Sequence, residues 1–345
     1  MLSFLIIFLG LSVLIVVHEF GHFFVAKLFK MKVDEFGFGL PPRAWGKKIG
    51  ETIYSLNWLP FGGYVKLYGE EGGENVTMWE KPTSSSQIGF NAERAWKRSA
   101  VILAGVTMNF ILGWLLVAAV LIIGTPQGVI ITDVKDGSPA AIAGLEAGDR
   151  VVGFKSSDDF IQFIKGHSGV ATDLTFQRGK ETLQKKIMPR VNPPSQEGSL
   201  GVVLVEGGGQ AGFLEGLWQG LIITGNIVVA TFTGLYELLK GIFMGQPDLR
   251  GVMGPIGIFG QAEKAGGLGM VYLLQLLALI SINLGVINSI PFPALDGGRF
   301  LFIILEKIKG SPLSVKTERV ANGLGFALLI FLMIAISVRD VVKLL

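Results

Sequence analysis

The chain has no cysteine, which excludes a disulfide framework, a thiolate nucleophile and any cysteine-ligated metal, and leaves the redox compartment unread. Charge is scarce: 17% of the 345 residues are Asp, Glu, Lys or Arg against 50% hydrophobic, and the mean hydropathy is +0.54. That balance is membrane-protein composition. The formal net charge of +3 comes without a dense basic stripe, so nucleic acid is not an expected partner. Histidine is nearly absent too, with three in the chain. The amino-terminal apolar run lacks a positive start and a small-residue cleavage pattern, and reads as a retained helix rather than a signal peptide. No organelle-targeting presequence is expected either.

What the chain does have is long apolar runs. About 20 such residues are needed to cross the hydrocarbon, and stretches near 2–25, 99–123, 268–289 (continuing near 300) and 320–338 meet that length. Residues 217–239 are ambiguous. The first polar stretch holds Lys27, Lys30, Lys32, Arg43, Lys47, Lys48, Lys66, Lys81, Arg94, Lys97 and Arg98, which places 27–98 inside by the positive-inside rule. The amino terminus and 124–215 are then outside. Lys307, Lys309, Lys316 and Arg319 form a second inside loop. These constraints favour four spans, with 217–239 lying on the outer surface or dipping in.

The chemistry sits at the end of the first run, in His18-Glu19-Phe20-Gly21-His22. Histidines four apart on a helix share a face and can reach one ion. Glu19 is turned about 100° from His18 and is placed to act as a base for water beside that ion. Ionisable groups inside a bilayer cost roughly 2.5–3.5 kcal/mol on insertion scales, and function is the usual reason they are there. A catalytic zinc needs a third protein ligand, and the soluble pattern HExxHxxGxxH does not follow. Asp296 is the best candidate: it is the only acid between Glu263 and Glu306. Helix one reaches His18 after about 22 Å, and four-span topology brings Asp296 to that depth.

Pro291 and Pro293 before it force irregular backbone, tolerated in a membrane only when buried in protein or facing water. Gly297 and Gly298 are expected to let backbone approach the ion, and Asn288 to hold substrate backbone or a polarised carbonyl. His167 reads as an ordinary surface residue. These residues also suit a metal-dependent transporter, although an ion path has no specific need of Glu19 beside two ligands. A catalytically silent scaffold is a further class.

Residues 50–68 contain two extended segments, Thr52–Asn57 and Gly63–Tyr68, around a Pro-Gly turn, and read as a hairpin whose edge could accept an unwound substrate. Residues 126–190 read as a small soluble domain: GVIITDV and DRVVGF as strands, SDDFIQFIKG as a helix, and ATDLTFQRGKETLQKKIM as alternation around Arg178-Gly-Lys180. With Pro139, Ala140, Ala143, Gly144, Leu145, Gly148 and Asp149, this segment resembles a PDZ domain. Such a domain implies peptide binding by strand addition, here at Gly128–Ile131.

His18-Glu19-x-x-His22 in the first helix, with Asn288-x-x-Pro291-x-Pro293-x-x-Asp296-Gly297-Gly298 later, resembles the site-2 protease family, the M50-type intramembrane zinc metalloproteases. The bacterial regulators of sigma-factor release, which carry a PDZ insertion, are the most similar group. The likeness extends through Phe36-Gly37-Phe38-Gly39, Ala104-Gly105-x-x-x-Asn109 and Gly254-Pro255-Ile256-Gly257. It departs in having one short PDZ-like segment where some relatives have two.

The resemblance implies a polytopic α-helical membrane protein with a four-helix site-2 protease core, a membrane-associated β-hairpin and one inserted PDZ-like domain. The core halves fall at 1–123 and 251–345, the PDZ-like extracytoplasmic domain at 124–190, and a linker with a membrane-associated helix at 191–250. His18, His22 and Asp296 would bind one Zn2+ per chain, Glu19 would be the base, and Asn288 would lie near substrate. Expected substrates are single-span membrane proteins such as anti-sigma factors or signal-peptide remnants, cut by a monomer in a bacterial inner membrane, with the site near the cytoplasmic side.

Overall fold

A computed structural model describes residues 2–70, 89–125, 127–179, 181–194, 197–246 and 251–344. Lys81 and Lys180, used above, lie outside them. The chain divides into two compact units, one of Met1–Leu116, Leu221–Phe259 and Leu277–Leu345, the other of Val117–Gly220 and Gly260–Leu276.

The first unit begins with α1 (Leu2–Leu28), a helix without a charged residue before Glu19. It is followed by β1 (Val33–Ile49), β2 (Thr52–Leu67) and α2 (Ala95–Ile123). A Cβ on Gly21 would meet the Ala104 carbonyl oxygen, so glycine there is what lets α1 and α2 approach backbone to backbone. The expected hairpin is larger than 50–68 and differently wired. Thr52–Asn57 does not pair with Gly63–Leu67. Val33–Phe38 lies between them, with Phe36 opposite both Tyr54 and Val65, while Arg43–Ile49 folds back antiparallel on Thr52–Asn57. The turn falls at Gly50-Glu51, not at the Pro-Gly segment. Arg43 makes a two-point ion pair with the buried Glu35 (Nε to Oε1 3.1 Å, Nη2 to Oε2 2.5 Å), and the Tyr64 hydroxyl donates to Oε1 at 2.7 Å.

In the second unit, β3 (Gly128–Val134), α3 (Pro139–Ile142), β4 (Arg150–Val151), α4 (Ser157–Gly166), β5 (Thr172–Arg178), β6 (Glu181–Ile187) and β7 (Val202–Gly207) form a five-stranded sheet with short helices. Its core includes Val129, Ile131, Leu145, Phe160, Phe176 and Ile187. The strand order is β6-β5-β4-β3-β7. The sheet therefore takes its last strand from the stretch read as linker. It also corrects the expected peptide seat: Val129 and Ile130 pair with β4 on one side and β7 on the other, so Gly128–Ile131 has no free edge. The free edges belong to β6 and β7.

The chain continues through α5 (Phe213–Phe243), α6 (Pro255–Leu268), α7 (Met270–Ser289), α8 (Asp296–Lys309) and α9 (Val315–Leu344). Among the described residues five helices, α1, α2, α5, α7 and α9, are long and apolar enough to cross a membrane. One more than the four expected spans qualifies because 217–239 lies within a single continuous helix.

Candidate metal centre

His18 and His22 project from one face of α1, rings edge to face with centroids 4.8 Å apart. Their Nε2 atoms are 3.2 Å from each other. Asp296 comes to them from the first residue of α8, its Oδ2 at 3.0 Å from His18 Nε2 and 3.4 Å from His22 Nε2. Tetrahedral donors at the usual zinc distances of about 2.0–2.1 Å lie about 3.3–3.4 Å apart. The three separations match three corners of such a site, within a few tenths of an ångström. All three residues are buried, and Oδ2 is a buried oxygen without a hydrogen bond. A carboxylate lone pair left open between two imidazole nitrogens is what a cation would satisfy.

The backbone explains how Asp296 arrives. Pro291 and Pro293 end the helical run of α7, and Ala294 adopts a left-handed φ of 75°, a conformation costing about 1–2 kcal/mol for a non-glycine residue. Asn322 of α9 holds it there, its Oδ1 accepting the Ala294 N–H at 3.0 Å. Gly297 and Gly298 also have a packing role. A Cβ on them would strike the Ile290 and Phe292 carbonyl oxygens, so they seat α8 against the proline loop.

α2 lines the other side with a stripe at four-residue spacing. The Val101 carbonyl lies 2.8 Å from His22 Nδ1. A carbonyl only accepts, so Nδ1 carries the proton and Nε2 keeps its lone pair for a metal. A Cβ on Gly105 would collide with the His22 ring and crowd that of His18. Asn109, 1% exposed, places its amide 3.0 Å from His18 Nδ1. Spacing along α2 would have grouped these positions, but nothing in the sequence says which side chain they face.

Glu19 is half-buried on α1, next in sequence to His18. Its Oε2 accepts the Val65 backbone N–H at 3.0 Å, which brings the edge segment Gly63–Leu67 beside it. Asn288 is half-buried near the end of α7, and among the described residues it has no hydrogen bond to the cluster. His167 caps α4 and stacks on Phe163, outside the site.

The sequence matches the model of peptidase family M50 over residues 6–332. It is similar to zinc metalloprotease RasP of Shouchella clausii, 30% identical over 100% of this chain and 99% of the relative. Regulator of sigma-W protease RasP of Bacillus subtilis is 27% identical over 99% and 98% of the two chains. A Clostridium perfringens relative bearing a zinc metalloprotease name is 34% identical over 97% of both. Among solved structures, the PDZ domain of an SdrC-like protein from Listeria monocytogenes matches 24% of this chain and 90% of its own at 31% identity, with a TM-score of 0.21. Because the family match runs unbroken through both histidines and the aspartate that meets them, the chain belongs to peptidase family M50 and is a zinc metalloprotease.

Proposed function

We propose that the protein hydrolyses a peptide bond in or near the transmembrane segment of single-span membrane proteins, as a step of regulated intramembrane proteolysis. One observation carries this reading: three donors stand at tetrahedral spacing, and two of them, His18 and His22, are built on α1, a helix apolar enough to span. His18, His22 and Asp296 hold zinc, which when bound supplies a Lewis acid that lowers the pKa of water and polarises the scissile carbonyl. Glu19 takes the proton of the attacking water and returns it to the departing amine. Asn288 orients substrate backbone from the end of α7.

A helical substrate bonds all its amides internally and must open before a carbonyl can react. Gly63–Leu67 supports this step. It pairs with Val33–Phe38 on one side, and its other edge faces Glu19 through the Val65 N–H, so an extended substrate added there lies along the base. The positive-inside rule applied to the basic loops supports an orientation with the amino terminus and the PDZ-like domain outside and the site toward the cytoplasm. Four spans, with α5 dipping in from outside, follow from keeping both basic loops inside; a 2.8 Å Thr231–Asn283 hydrogen bond holds α5 against α7. The name of the Bacillus subtilis relative, a regulator of sigma-W protease, supports anti-sigma factors as the substrate class.

The test is reconstitution of wild type and Glu19→Gln with a panel of single-span substrates, with zinc measured on the same samples. Loss of cleavage with zinc retained is expected. Undiminished cleavage by Glu19→Gln would remove its role as base.

A further inference from the structure

Resting on the zinc reading above, we infer that Asn109 is a positioning residue that holds His18 through its side-chain oxygen and so fixes the tautomer that leaves His18 Nε2 open to the ion. His18 Nε2 is the nitrogen turned to the site, 3.0 Å from Asp296 Oδ2 and 3.2 Å from His22 Nε2. The other nitrogen, Nδ1, faces the Asn109 amide at 3.0 Å. A neutral imidazole has one N–H and one lone pair. With the Nε2 lone pair given to a metal, the proton sits on Nδ1, and Nδ1 needs an acceptor.

The two ends of an amide have the same shape, and the hydrogen-bond network decides which end faces a neighbour. Here Nδ2 faces the ring while Oδ1 is buried without a hydrogen bond. Turning the amide over exchanges an unbonded oxygen for an unbonded amino group and gains the bond that the metal-binding tautomer requires. Solvent does not compete, because Asn109 is buried, and the Ser281 hydroxyl is taken up by the Asn109 backbone carbonyl at 2.8 Å. The second ligand supports the assignment independently: His22 Nδ1 meets the Val101 carbonyl, an obligatory acceptor two turns earlier on the same helix. α2 would thus supply an acceptor behind each imidazole, and such outer partners typically change metal affinity by about 10–100-fold.

The experiment uses the full chain in detergent, stripped of metal and titrated with zinc against a chromophoric chelator, with imidazole 15N spectra recorded in parallel. Only three histidines contribute, and His167 serves as an internal reference. Asn109→Leu is expected to lose zinc affinity by about 10–100-fold. Asn109→Asp, which can only accept, should stay within about threefold of wild type or bind more tightly, with a protonated Nδ1 on zinc-bound His18. Equal losses in the two variants, or wild-type affinity in Asn109→Leu, would overturn the inference. If Asn109→Leu does not fold, the affinity and 15N signature of Asn109→Asp decide alone. Failure of the zinc reading looks different: wild type then takes up no zinc, or His18→Ala keeps it.

Discussion

Replacing Asn322 with Ala should weaken zinc binding although Asn322 touches no ligand. Its Oδ1 accepts the Ala294 N–H, and Ala294 sits at φ 75°, two residues before Asp296. The hydrogen bond contributes about 0.5–1.5 kcal/mol, and it opposes a left-handed conformation costing about 1–2 kcal/mol. Without it the loop can relax toward an ordinary backbone and carry Asp296 Oδ2 away from the imidazoles. A loss near 1.4 kcal/mol is about tenfold in affinity. The same arithmetic predicts a rescue. Ala294→Gly removes the steric cost of the left-handed residue, so the double variant should recover most of that tenfold loss while Ala294→Gly alone changes little. Chelator competition on purified protein measures all four corners of the cycle, and thermal unfolding checks that the fold is intact. Undiminished affinity in Asn322→Ala, or a double variant no better than the single one, would refute the idea that this contact holds the aspartate in place.

The β-strand region should be acid-sensitive. Burial alone would raise the Glu35 pKa, but the Ser55 and Tyr64 hydroxyls and the Arg43 guanidinium outweigh it and hold the carboxyl below its ordinary value. The stability gained is therefore present above about pH 4.3 and lost as pH falls through the lower folded value. Hydrogen exchange of 33–67 should show protection falling over that window in wild type, with a shallower dependence in Arg43→Met; parallel curves would contradict this. In the five-stranded sheet unit, Arg178 bonds both oxygens of the fully buried Asp149 at 2.7 and 2.8 Å, Glu146 at 2.7 Å and the Gly144 carbonyl at 2.8 Å. Arg178→Ala strands a buried carboxylate, at about 3–5 kcal/mol. Exchange protection over 128–207 should collapse while α1 stays protected, and a loss under about 1 kcal/mol would count against the pair as the domain's anchor.

Periodicity and scarcity carried the reading of the site, and long-range pairing marks where they stopped. Two histidines at helical spacing, and one acid in some forty residues of apolar sequence, pointed to groups that the structure brings within 3.4 Å. The long helices were legible because a continuous apolar run needs no partner to be recognised. Val33–Ile49 was not, since Gly39, Pro41 and Pro42 are residue types disfavoured in strands, and its strand character comes from the neighbours it pairs with rather than from its own propensities. The same limit misplaced the hairpin turn: Thr52–Asn57 and Gly63–Leu67 look like natural partners until a strand from earlier in the chain lies between them. It hid β7, which joins the sheet beside β3 after more than sixty intervening residues.

At the metal centre, Asn109 reaches His18 across 91 residues and Asn322 reaches Ala294 across 28. Neither side chain differs in type from an ordinary helix asparagine, and the Ala104-Gly105-x-x-x-Asn109 pattern marks the position of Asn109 without naming its partner. The groups that would bind the ion are chemically unusual for their surroundings and therefore stand out in the sequence. Those that aim them are ordinary residues whose role exists only through the fold, and variants outside the HExxH motif are therefore where structure adds most to prediction.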